Sequence, residues 1–172
     1  MKKFLVTTFA LAAIALMATP AFAATATAPL TLSATVINNC TISTTPVAFG
    51  NYDPLSAAVN NASGTVVIAC TKNAPLVTIT LLNGNNFVVT RRMTDGTNFM
   101  DYEIYQPPST VAGAACTWVT PQRWGTAGAE IFTPTAPPTM AARTYNVCGQ
   151  IAAGQDLAAA VFNDTVTATV NF

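Results

Sequence analysis

Apolar side chains recur at every second position through much of this chain, and that period of two constrains its fold more than any other feature. In 76–82, Val77, Ile79 and Leu81 alternate with Thr78 and Thr80; in 100–104, Met100, Tyr102 and Ile104 alternate with Asp101 and Glu103. In 163–172, Val166, Ala168, Val170 and Phe172 alternate with Thr165, Thr167, Thr169 and Asn171. Such a period puts one set of side chains on each face of an extended strand. Beyond residue 23 no segment sustains the 3.6-residue period of a helix, so little helix is expected. Strands are predicted over 66–70, 76–82, 87–90, 100–104, 144–151 and 161–172, with a short one near Ile131-Phe132. Turns at Asn83-Gly84-Asn85-Asn86 and Asp95-Gly96 separate them, and 107–139, rich in Pro, Gly and Ala, reads as mostly loop. Several short strands in one domain's length of chain predict an all-β sandwich.

The first 23 residues obey different rules. Lys2 and Lys3 precede an uncharged apolar run over 4–18, Pro20 breaks it, and Ala21-Phe22-Ala23 is a small-x-small cleavage site. This is the pattern of a secretory signal peptide, 1–23, and the run is short for a membrane span of ~20 residues. All four cysteines, Cys40, Cys70, Cys116 and Cys148, lie beyond it. In an oxidising compartment an even count reads as two disulfides, with three pairings open. There is no CxxC and no histidine, so neither a zinc site nor a redox motif is expected.

Charge excludes further classes. The chain has 7 basic and 7 acidic residues, only 8% charged in all. No Lys/Arg cluster offers phosphates a partner, so nucleic acid is not expected as a ligand. Without histidine the commonest general base is missing. Asp101 and Glu103 share one strand face and read as solvated, not as a catalytic pair; Arg91 and Arg92 read as surface ion-pair partners of Asp95 and Asp101. Trp118 and Trp124 flank a loop and read as core or loop anchors, with stacking on a sugar ring as the rival use. Three sequon matches begin at Asn39, Asn61 and Asn163. No catalytic residue, metal or cofactor is expected.

The segment 24–37 is the odd one. Ala26, Ala28, Leu30, Leu32, Ala34 and Val36 occupy its even positions, Thr and Ser most of its odd ones, and the first charge after residue 23 is Asp53. Exported termini are ordinarily solvated and frayed. A one-faced strand here requires an apolar surface to cover. The plainest reading makes both chain ends ordinary strands of a closed sandwich.

Several motifs, in order, resemble the spore coat protein U domain family, which includes subunits of archaic chaperone–usher pili. They are Asn39-Cys40-Thr41-Ile42, Phe49-Gly50-Asn51-Tyr52-Asp53-Pro54, the run 64–70, Arg92-Met93 and Met100-Asp101-Tyr102-Glu103-Ile104-Tyr105. Trp124-Gly125 and the terminal run 163–172 complete the set. The resemblance implies an incomplete immunoglobulin-like sandwich, residues 38–172, completed by donor-strand complementation. The donor would be 24–37, through Leu30, Leu32, Ala34 and Val36; Val166, Ala168, Val170 and Phe172 would wall the acceptor groove. It also implies a Cys40–Cys70 disulfide, leaving Cys116 with Cys148 as an additional pair. The implied partners are other copies or related subunits, a periplasmic chaperone and an outer-membrane usher, and the implied destination is a surface pilus or the extracellular space. Removal of 23 of the 172 residues leaves 149, which favours a shaft or adaptor subunit over a two-domain tip adhesin. A spore or cell coat protein of the same fold, or a monomeric secreted carbohydrate-binding domain, are the alternatives.

Overall fold

A computed structural model describes residues 23–172; the expected signal peptide lies almost wholly outside them. By its contacts the chain divides at Thr35/Val36. In the N-terminal unit, residues 23–35 belong to no strand and all are exposed. The second unit carries the sandwich.

Its strands are β1 (Cys40–Thr45), β2 (Asn60–Cys70), β3 (Thr78–Leu81), β4 (Arg91–Thr94), β5 (Phe99–Tyr105), β6 (Arg143–Ile151) and β7 (Ala168–Asn171). The only helix among the described residues is a 3-10 turn, Gly128–Glu130. One sheet has the order β1-β2-β6-β5-β4 and the other is β3-β7, with every pairing antiparallel. In a seven-strand immunoglobulin sandwich one sheet is ABED and the other CFG. Here β1, β2 and β6 take positions A, B and E, with β5 and β4 together at D; β3 and β7 take C and F. Position G, beside β7, is held by no described residue.

The period of two explains which side chains meet. Val66, Ile68 and Cys70 of β2, Ile79 and Leu81 of β3, Met100, Tyr102 and Ile104 of β5, and Tyr145, Val147 and Ile151 of β6 all point inward. Trp124 is 0% exposed, donates its indole N–H to the Ile79 carbonyl at 2.9 Å, and packs on Phe132 at 5.0 Å. Phe132 in turn meets Tyr145 edge-on at 5.2 Å, so three aromatic rings bridge the two sheets. A fully enclosed Trp124 cannot stack on a sugar, which removes it from that use.

Local boundaries depart from the periodic reading in instructive ways. β2 begins at Asn60, six residues early, because its polar start pairs with the far end of β6 and because Gly64 lets β1 pass close by. A Cβ there would lie 2.7 Å from the Thr45 carbonyl oxygen. The expected strand 87–90 is absent; the ladder starts at Arg91, since β4 pairs with β5 through Arg91–Tyr102 and Met93–Met100. The expected 131–132 strand is a single bridge, Phe132 to Ile79. Of 161–172 only Ala168–Asn171 is strand, preceded by one bridge from Asn163 to Thr94.

Disulfides join Cys40 to Cys70 and Cys116 to Cys148. The first crosslinks directly opposed residues of β1 and β2. The second ties the long loop to β6. Each closes a loop of about 30 residues and contributes roughly 3–4 kcal/mol in the chain-entropy picture.

Arg91 corrects the charge reading. It is 0% exposed, and its ion-pair partner is Glu103 rather than Asp95 or Asp101. Glu103 also binds Arg123 at 2.9 Å, so it sits between two guanidinium groups instead of facing water. Asp101 remains exposed.

Candidate functional site: an open groove between two strand edges

Among the described residues β1 pairs only with β2, and β7 only with β3, so each has one free edge. The backbone hydrogen bonds fix which groups face those edges. The Leu82 N–H donates to the Thr167 carbonyl at 2.9 Å, so in the β3–β7 register the odd residues of β7 bond to β3. Val166, Ala168 and Val170 therefore turn their N–H and C=O groups toward the open side. In the same way the Thr71 N–H donates to the Asn39 carbonyl, so Ile42 and Thr44 of β1 present theirs outward. Two rows of unpaired backbone groups remain, the geometry that accepts an added strand.

An apolar cavity of about 280 Å³ lies along these edges. Thr44, Val47 and Phe49 line one side, Val166 and Ala168 the other, and Val66, Leu81 and Ile104 the floor. A second, larger cavity of about 790 Å³ shares Pro46, Val47, Phe49, Met93 and Asp164 with the first, so the two form one cleft. Along it one wall ascends from Thr44 to Pro54 while the other descends from Ala168 to Leu157. The walls run in opposite directions.

Local sequence explains the cleft. Pro46 has no N–H for a ladder and ends β1. Beyond it Val47 and Phe49 turn inward over Gly149, where a Cβ would lie 2.6 Å from Val47. Asp164 closes the cleft's floor with a polar staple. Its carboxylate accepts from the Tyr102 hydroxyl at 2.6 Å, the Asn85 N–H at 2.9 Å and the Thr165 N–H at 2.8 Å. Gly84 permits this, because a side chain there would collide with the Asp164 carboxylate. Burial, reinforced by this carboxylate, pushes the Tyr102 hydroxyl well above the usual phenol range.

That shift carries an expected result. The folded state holds the Tyr102 proton more tightly than the unfolded chain, so this stabilisation is complete below pH ~10 and declines as pH rises above it. Tyr102→Phe should flatten the alkaline limb of the stability profile, measured by denaturant midpoint against pH. An unchanged limb would show that the hydroxyl ionises as freely folded as unfolded.

Of the four residues expected to wall a groove, Val166 and Ala168 line the cleft. Val170 is half-buried against the core opposite Ile79, and Phe172, just past β7, is 53% exposed. In the N-terminal unit Leu30 and Leu32 are 84% and 83% exposed and Ala34 is exposed; Val36, at the start of the second unit, is 84% exposed. Pattern reading missed the opposite wall. Val47 and Phe49 carry a short alternation of their own, and Pro46 marks the phase change between even-inward β1 and odd-inward 47–49, a signal present in the sequence. Among the described residues no cluster of His, Cys, Asp or Glu is arranged to hold a metal ion.

Such a cleft defines a class: an immunoglobulin-like sandwich with one strand position open along its core. The chain belongs to the spore coat protein U domain family, whose model matches residues 26–169. Family and fold are structural and not those of an enzyme. Among solved structures it is similar to a chain of the CsuC–CsuE chaperone–tip adhesion subunit pre-assembly complex from the archaic chaperone–usher Csu pili of Acinetobacter baumannii. The two share 25% identity with a TM-score of 0.55. The match covers 80% of this chain and 40% of that one, so this chain spans about two fifths of its neighbour's length. No curated protein matches the chain.

Proposed function

We propose that this protein is a structural subunit of a secreted surface fibre of the archaic chaperone–usher type, serving adhesion or biofilm formation. Cleavage after Ala23 would expose residues 24–37 as a donor strand, with 38–172 as the acceptor domain. The observation that carries this reading is the pairing of needs within one sequence. The sandwich has an open cleft between two free edges, and the chain carries an uncharged one-faced segment of which residues 24–37 are all exposed. Burying Leu30, Leu32 and Val36 in a neighbour's cleft contributes roughly 1.5–3 kcal/mol each in transfer terms. Donor and acceptor belong to different copies, so the contact is head-to-tail and does not close; repetition gives a filament.

An unfilled cleft is also an aggregation hazard. That hazard gives a periplasmic chaperone its task, to hold the edges until an outer-membrane usher exchanges it for the next subunit. The structural neighbour, a chaperone–subunit pre-assembly complex, supports this partner.

Deleting 24–36 tests the proposal. The truncated subunit should still be recovered with its chaperone but form no fibres, by pull-down and by electron microscopy of the cell surface. Fibres built from the truncated subunit would overturn the donor assignment. Loss of the fold even with chaperone present would instead make 24–36 a strand of its own domain.

A further inference from the structure

A third cavity lies away from the cleft and shares no lining residue with it. It measures about 390 Å³, inside the ~300–1,000 Å³ range of small-molecule sites. Residues 106–110 form one side, 117 and 119–122 the other, and the buried ring of Phe132 contributes to the lining.

Its construction is rigid. The Cys116–Cys148 disulfide anchors one arm to β6, and the Asn146 side chain donates to the Ala114 carbonyl at 2.7 Å. The Gly113 N–H donates to the Thr144 carbonyl at 2.8 Å, and the Gln106 N–H joins the two arms by donating to the Gln122 carbonyl at 2.7 Å. At the rim Thr120 holds φ at +50°, a left-handed conformation costly for a β-branched residue. Strain of this kind persists where surrounding structure imposes it, and such positions cluster at binding sites.

The lining selects a ligand chemistry. No charged side chain is present, which gives an ion no partner. Pro107, Pro108 and Pro121 offer C–H-rich faces, and Gln106, Gln122 and Thr117 stand among them. Gln106 spends both amide protons on the Arg123 and Ala129 carbonyls, leaving its side-chain oxygen to accept. Gln122 makes one long contact, at 3.4 Å, and Thr117 makes none. Neutral groups that both donate and accept, set between apolar faces, match a ring that is apolar on its faces and hydroxylated at its edge. A proline-rich peptide would need an exposed aromatic track, whereas the single aromatic ring in this lining is 2% exposed.

We propose that this cavity binds a neutral saccharide residue. Because it is separate from the cleft, occupancy does not compete with strand addition, and each subunit of a polymer would carry one site. Weak single-site binding would then be multiplied by valency along a fibre. This proposal stands whether or not the polymer reading does, since the site is complete within one copy.

The test is saturation-transfer NMR on the unpolymerised chain, held by its chaperone or alone, with the methyl glycosides of glucose, galactose, mannose and N-acetylglucosamine as probes. Transfer to at least one probe is expected, falling about tenfold in a Thr117→Val/Gln122→Ala double variant, as two lost hydrogen bonds would require. Thr169→Ala, on β7 and outside this cavity, should leave transfer unchanged, and unaltered circular dichroism would show that both variants fold. No transfer to any of the four probes, or transfer that survives in the double variant, overturns the proposal.

Discussion

Leu32→Asp is expected to abolish fibre formation, while Thr31→Asp and Ser33→Asp leave most of it intact. The three variants make the same charge change within three consecutive residues, so only the side of the strand differs. In the proposed donor strand the even positions would enter the neighbour's cleft, whose lining between Val47, Phe49, Leu81 and Ala168 has no cation to receive a carboxylate. An unpaired charge forced into that lining costs several kcal/mol beyond the lost burial of leucine. A slip of one residue would not rescue it, because every remaining donor side chain would turn outward. The free edges sharpen the expectation. Val166, Ala168 and Val170 offer backbone groups at every second position, so a donor must keep its register over several residues to satisfy them. Fibre yield is compared after confirming equal subunit export with chaperone and usher present. Equal loss at odd and even positions would show that the segment is not read as a one-faced strand.

Alternation made the sheets legible and hid what closes them. The inward sets of β2, β3, β5 and β6 follow directly from a period of two, because each strand has one face on the core. Boundaries were less visible. β4 starts at Arg91, not Phe87, because cross-strand pairing to Tyr102 decides where the ladder begins, and 87–90 has the β-propensity without the partner. One groove wall, through Val166 and Ala168, was implied by the family resemblance, and both residues sit in a regular alternating run. The other was missed, because Pro46 resets the phase and the alternation of Val47 and Phe49 is too short to stand out from irregular backbone. Glu103 shows the limit of face assignment. Its odd position marks it as outward, yet it ends between Arg91 and Arg123, which arrive from β4 and from the loop before Trp124. Such long-range pairing leaves no periodic trace.

Glu103→Ala is expected to cost about 3–5 kcal/mol of stability, the loss seen when a buried ion pair keeps only one partner. Arg91 cannot relax to water. Its Nε donates to the Leu82 carbonyl at 3.2 Å, and its Nη2 to the carbonyls of Leu81, Leu82 and Trp124 at 3.3, 3.1 and 2.6 Å. These acceptors lie at the end of β3 and beside the buried indole, so one guanidinium binds three segments together. Carbonyl dipoles alone do not replace a carboxylate as counter-charge. Arg91→Met removes the charge but strands the same carbonyls, so it too should destabilise, by roughly 1–3 kcal/mol for each acceptor left dry. The double variant Arg91→Met/Glu103→Ala should lose less than the sum of its parts, because neither charge is then left alone. Denaturant unfolding of the oxidised subunit measures all four species. The consequence reaches the cleft: Leu81 is paired with Ala168, and both line it. Loosening the end of β3 should therefore lower fibre yield even where subunit export is preserved. Strict additivity of the two single losses would show that Arg91 and Glu103 act independently and that no buried pair holds this wall.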